Sequence, residues 1–242
     1  MWFTAQYSAT SLFSLRPALS TASGAQSLLV PTPYAIKMAL LDVALRHYGQ
    51  AIGQQWWPAI RALDVALDLP NMLIVNKTFI KVQRPTRVTK SNLEEVEAAK
   101  AAGIYPMGPT IAFREFVQFG GELGLALRST DPTDMPLAEL LTLINYFGKR
   151  GSFFQLQEPP EQVPELSQSW TIITQPAASF PAKGILQMLD DCGARLTWEH
   201  VNVFTSKGIS LNEHERILRT VVLPYELQRS SYRYTLYGRI SL

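Results

Sequence analysis

The chain has 242 residues, 47% of them hydrophobic and 17% charged, a balance that supports a folded protein and excludes long disordered tails. With 22 basic and 20 acidic residues the net charge is only +2, so any nucleic-acid site has to come from local clustering. Cys192 is the single cysteine, which excludes an internal disulfide and any multi-cysteine zinc site and fits a reducing, cytoplasmic setting. The N-terminal residues carry no basic group before Arg16 and do not read as a signal peptide, and no apolar run is long enough to span a bilayer.

Residues 2–15 alternate, with Phe3, Ala5 and Tyr7 on one face, and predict a strand. Thr32 as N-cap and Pro33 in the first turn then open a helix that runs to about Tyr48 and ends before Gly49. Ile36, Leu40, Val43 and Ala44 form its apolar stripe. A second amphipathic helix is predicted over 55–67, with Trp56, Ile60, Leu63 and Leu67 on its buried side and Pro70 as its stop.

From Met72 to Arg84 the period becomes two, with Thr78, Ile80 and Val82 on one face and Lys77, Phe79, Lys81 and Gln83 on the other. Ser91 to Glu94 is a capping-box pattern that opens a short acidic helix ending at Gly103. A strand returns over 110–119, and Gly120-Gly121 marks a turn before Leu123, Leu125 and Leu127. The two strands predict a long hairpin with an excursion at its tip.

Leu137, Leu140, Leu141, Ile144 and Phe147 recur at helical spacing, with Gly148 to close the helix, and residues 153–156 supply another strand. Strand, helix, strand, strand, helix, strand is the order of the ferredoxin-like, RNA-recognition-like fold. The predicted class is therefore α+β, with a ferredoxin-like domain over 1–156 and a projecting β-hairpin at about 76–119. A Pro-, Glu- and Gln-rich linker over 157–168 leads to a small β-rich domain over 169–242, with strands read at 170–174, 195–204, 216–223 and 232–240.

The segment from Asn76 to Lys90 holds Lys77, Lys81, Arg84, Arg87 and Lys90 with no acidic residue among them. Such cations neutralise phosphates, and Phe79 between two lysines is placed for a base to stack on it. Lysines on an exposed edge strand also guard against sheet-to-sheet aggregation, so the segment has both readings. Lys149-Arg150-Gly151-Ser152 has two as well: an anion-binding nest of backbone N–H groups, or basic residues opposing the negative end of a helix dipole. His47, His200 and His214 have no metal-ligand spacing, and P-loop, GxSxG and HExxH motifs are absent; no cofactor is implied.

Five motifs in order resemble one family: Leu15-Arg16-Pro17, Val30-Pro31-Thr32-Pro33, Ile111 to Phe116, Tyr146 to Ser152, and Tyr232 to Tyr237. The chain is similar over most of its length to the CRISPR-associated Cas-five family of the RAMP superfamily, although Tyr34 and Met38 replace a small hydroxyl residue and a glycine common there. The resemblance implies an RNA-binding subunit of a Cascade-type surveillance complex whose hairpin, or thumb, grips the 5′ handle of the crRNA and contacts the adjacent backbone subunit. It implies Lys77, Lys81, Arg84, Arg87 and Arg114 as RNA contacts, with Lys149 and Arg150 along the handle's path and Phe79, Lys90 and Arg16 completing the set. Further partners are the large subunit of the complex and, through the complex, target DNA, with no membrane. Glu94, Glu95 and Glu97 are expected to face protein, because carboxylates repel phosphate. One branch of the family cuts precursor RNA with a Tyr, Lys and His cluster. The favoured role is nevertheless non-catalytic, and a metal-independent endoribonuclease using His47, Tyr48 and the lysines is the alternative.

Overall fold

The computed structural model describes residues 1–20, 26–130, 134–175, 181, 183–205 and 207–240. Strand β1 (Trp2–Ala9) alternates as expected but stops at Ala9, and Phe13 then makes one isolated bridge to Val117. The hydroxyl residues that follow the strand end the ladder: the Ser11 hydroxyl donates to the Gly151 carbonyl at 2.6 Å and accepts the Phe153 N–H at 2.7 Å.

Thr32 caps helix α1 (Pro33–Ala62), its hydroxyl accepting the Ala35 N–H at 3.1 Å. Gly49, at φ 83° and ψ 172°, breaks the helix where the sequence predicts, and the chain resumes as helix up to Ala62. The predicted helix over 55–67 is corrected at its C-terminal end, because Asp64–Asp68 form strand β2. Asp64 to Leu67 are all buried, and a short apolar run buried on both faces satisfies helical and strand periods alike. Its neighbours decide the matter: β2 pairs with β5 (Leu123–Arg128) on one side and β8 (Trp170–Ile172) on the other.

The first sheet runs β6-β1-β5-β2-β8, with β6 at Phe154–Leu156, and every pairing in it is antiparallel. Strand β7 (Glu161–Val163), inside the Pro-rich 157–168 stretch, pairs with β1 as well. Helix α3 (Leu137–Leu143) is shorter than predicted, since Ile144 is already extended. Phe147 is buried from the turn beyond it, edge-on to Tyr7 at 5.5 Å and to Phe154 at 5.0 Å.

The hairpin consists of β3 (Met72–Pro85) and β4 (Met107–Phe119), paired without a bulge from Leu73↔Phe119 to Pro85↔Met107. It is inserted between β2 and β5 and lies outside the first sheet, joining β11 (Tyr225–Ser230) and β12 (Tyr234–Arg239) in the order β11-β12-β3-β4. The second strand of the first sheet is therefore β2 in place of the expected 72–84 segment. At the hairpin tip, helix α2 (Leu93–Ala101) ends near Gly103, whose φ is 75°. Its predicted capping box does not form: Asn92 is the N-cap, and its side-chain oxygen accepts the Thr89 N–H at 2.7 Å.

Strands β9 (Ile185–Cys192) and β10 (Arg216–Leu223) pair over eight positions. The strand predicted over 195–204 is instead turn and a short helix, α4 (Trp198–Val201), because Thr197 and His200 cap one another reciprocally. One hydrophobic cluster joins these parts, from Tyr7 and Phe13 through Ile36, Leu40 and Trp57 to Leu189, Leu223 and Tyr225. No described helix is long and apolar enough to cross a membrane.

Candidate nucleic-acid interface

Directly paired residues of a hairpin share a face, and successive residues alternate. Lys77, Phe79 and Lys81 therefore share a face with their partners Glu115, Phe113 and Ile111. Thr78, Ile80 and Arg84 share the other with Arg114, Ala112 and Gly108. The cations expected to act together are thus divided between two surfaces. At the base of the first face, Leu73, Val75 and Val117 are buried in the core; beyond them Phe79 is 61% exposed and Phe113 60%. The second face is half-covered at Ile80 and Val82 and buried at Ala112. Arg87 and Lys90 are exposed in the loop before α2.

Two cavities lie along the first face, and both are lined by Lys77. The inner one, ≈ 370 Å³, is walled by residues that include Pro17, Leu28, Val75, Glu115, Met188 and Tyr237. The outer one, ≈ 400 Å³, is lined by Lys77, Thr78, Phe79, Phe113, Tyr232 and Arg233. The turn between β11 and β12 is held against the hairpin, because the Lys77 N–H donates to the Arg233 carbonyl at 2.7 Å and Tyr234 pairs with Asn76. Phe113, Tyr232 and Arg233 were not among the expected contact residues. A connection of some twenty residues separates the two hairpin strands, so no turn type fixes their register in the sequence.

A hydrogen-bonded frame ties the remaining candidates to the hairpin base. The Glu115 carboxylate accepts the Ser27 N–H at 3.0 Å, the Ser27 hydroxyl accepts the Leu15 N–H at 3.1 Å, and Ser14 donates to the Glu115 carbonyl at 2.9 Å. Arg16, exposed, follows directly on this frame. Lys149 and Arg150, also exposed, sit in a turn flanked by the Tyr146↔Phe153 bridge, and not at a helix C-terminus, since α3 ended at Leu143. The turn requires positive φ at Gly148 (73°) and Gly151 (103°), and Ser152 N–H donates to the Lys149 carbonyl at 3.0 Å. Burial and the Asp42 charge push the Tyr146 phenol up, and Arg150 pulls it down.

A separate charged cluster escaped the sequence reading. Lys37 and Asp191 form a buried ion pair at 2.7 Å; Arg219 meets the other Asp191 oxygen at 2.7 Å, and Arg216 pairs with Asp190. The Arg216 guanidinium lies 4.3 Å over the Tyr34 ring, which gives the large residue at position 34 a structural use. Of the histidines, His200 is buried and paired with Glu215 at 2.5 Å, while His47 and His214 are exposed. Among the described residues no group of three or more His, Cys, Asp or Glu is placed to hold a metal ion.

Fold and surface define a mixed α/β protein whose inserted hairpin carries one aromatic, cationic and open face. No family model matches the chain. It is similar to the CRISPR-associated protein Cas5 of Archaeoglobus fulgidus, 24% identical over 209 residues that make up 82% of each chain. The likeness carried by the five sequence motifs is thus the one that comparison over most of the chain returns. A solved structure described as a CRISPR protein from the same organism aligns over 99% of this chain and 92% of its own, with a TM-score of 0.40 and 11% identity.

Proposed function

We propose that the protein is a non-catalytic RNA-binding subunit of a type I CRISPR surveillance complex, holding the 5′ handle of the crRNA and capping the backbone filament for RNA-guided DNA targeting. The observation that carries this reading is the first face of the hairpin. There Lys77 and Lys81 form no ion pair with any described residue and flank the exposed Phe79, and Lys77 lines two cavities. Solvated cations beside an accessible aromatic ring suit a single-stranded backbone with unstacked bases.

The order β6-β1-β5-β2, with α1 and α3 in the crossovers, supports a ferredoxin-like unit into which the thumb at about 76–119 is inserted. In this reading residues 1–156 form the RNA-binding domain and 157–168 the connection. The β-rich part over 169–242 buttresses both sheets, since β8 extends the first and β12 the second. Arg16, Lys149 and Arg150 extend the path of the handle at the thumb base. Arg84, Arg87, Lys90 and Arg114 provide a second track toward the neighbouring backbone subunit, and the large subunit and target DNA are met through the assembled complex in the cytoplasm.

The test is binding of the purified chain to a single-stranded RNA containing the repeat-derived handle, across a salt series. Tight binding that falls with salt and is lost in a Lys77, Lys81 and Arg84 triple alanine variant is expected. Binding unchanged in that variant overturns the site. Discrete cleavage of a repeat RNA in EDTA would move the function to the endoribonuclease alternative.

A further inference from the structure

The ≈ 400 Å³ cavity at the outer end of the first face is a built feature, because two separate parts of the chain make it. The hairpin contributes Phe79 and Phe113, direct cross-strand partners, and the β11–β12 turn contributes Tyr232 and Arg233. Tyr232 is 90% exposed, so three large aromatic side chains surround an open space with little apolar cover of their own. Water-exposed aromatics gathered at one place mark a binding site more often than a packing accident. The volume lies within the ~300–1,000 Å³ span of small-ligand sites.

The charges narrow the occupant. Lys77 and Arg233 line the cavity, no carboxylate does, and neither cation is in an ion pair with a described residue. Aromatic faces take up a flat π-system, and unpaired cations at the same mouth take up the phosphate attached to it. We infer that this cavity seats one unpaired nucleobase of the bound RNA, stacked between the hairpin aromatics and Tyr232, with Lys77 and Arg233 on its flanking phosphates. This deepens the RNA-binding reading and rests on it. Stacking of this kind tolerates any base, because every base has a π-face; the site therefore fixes the register of the strand without reading its sequence.

The experiment uses the full chain and single-stranded handle RNAs in which 2-aminopurine replaces one nucleotide at a time, together with the matching abasic series. One position is expected to show strong fluorescence quenching on binding, and an abasic site there is expected to weaken binding about 10- to 100-fold. Exchange of that base for any other is expected to leave affinity unchanged. Phe113→Ala and Tyr232→Ala are expected to remove the quench and weaken binding, whereas Phe113→Trp and Tyr232→Phe keep both. The exposure of these side chains predicts that all four variants unfold at the temperature of the parent.

RNA that binds tightly with no quenched position and no effect of the aromatic variants overturns this inference and leaves the RNA reading standing. Absence of RNA binding by the parent chain overturns both. Variants that bind RNA normally but fail to assemble with a neighbouring protein subunit assign the cavity to a protein side chain, and overturn the inference equally.

Discussion

Glu115 stands directly across the hairpin from Lys77, yet its carboxylate accepts the Ser27 N–H at 3.0 Å, and the Lys77 ammonium is left without an ion-pair partner among the described residues. The acidic group of the first hairpin face thereby serves as a bracket for the segment around residue 27. Glu115→Gln keeps an oxygen for that N–H while removing a charge that repels phosphate. RNA affinity is expected to rise by about 2- to 5-fold at low salt, with an unchanged unfolding midpoint. Glu115→Ala leaves the part-buried Ser27 N–H unsatisfied and is expected to cost about 1 kcal/mol in urea denaturation. Equal RNA affinity for Gln and parent at low salt would place the strand elsewhere.

The division of cations between the two hairpin faces gives a second prediction. Lys77→Ala with Lys81→Ala is expected to remove two phosphate contacts from one face and to flatten the slope of log K against log salt by about 1.4. Arg84→Ala with Arg114→Ala changes the opposite face, and the slope for isolated RNA should stay near the parent's. Filter binding at four salt concentrations separates the pairs, and identical losses from both would mean that the RNA wraps the hairpin edge.

Much of this arrangement is legible in the sequence. Alternation over 72–84 gives β3 and its two faces, Thr32-Pro33 gives the start of α1, and Gly49 gives its break. What sequence leaves open is long-range. The short apolar run Val65 to Leu67 becomes a strand because β5 and β8 lie beside it, and Phe113 meets Phe79 because of a register that no short turn dictates. Phe147 keeps helical spacing with Leu140 and Ile144 yet packs from a turn, so the periodicity reports burial and not conformation. Lys37 reads as a polar interruption beside the apolar stripe of α1. Its partner Asp191 is 154 positions away.

That pair supplies a stability prediction with an asymmetry. Asp191 is held by Lys37, by Arg219 and by the Cys192 N–H, whereas Lys37 has Asp191 as its ion-pair partner. Asp191→Ala strands a buried ammonium, and a loss of about 3–5 kcal/mol is expected. Lys37→Met leaves the carboxylate with Arg219 and should cost clearly less. Guanidinium denaturation of both variants checks the order, and an equal or larger loss for Lys37→Met would show that Arg219 does not sustain Asp191.

Buried thiol and phenol groups are expected to set the alkaline limit of the fold. Burial pushes the Cys192 thiol up to about 12 from an ordinary 9, with Lys37 opposing the shift, and burial also raises the Tyr7 and Tyr225 phenols. In each case the folded chain holds its proton more tightly than the unfolded chain. The stability tied to these groups is therefore fully present below their unfolded values, near 9 for the thiol and 10 for the phenols, and is lost as pH rises toward the folded ones. Urea midpoints should be unaffected by these groups up to about pH 9 and fall progressively above it. Cys192→Ala, which removes one titrating group, should make the fall shallower even where its cavity lowers the whole curve. At pH 8 the thiol should resist alkylation in the folded chain and react at once in denaturant, because it is both covered and protonated. Rapid labelling of the native chain at that pH would show that the β9–α1 junction opens far more readily than its packing indicates.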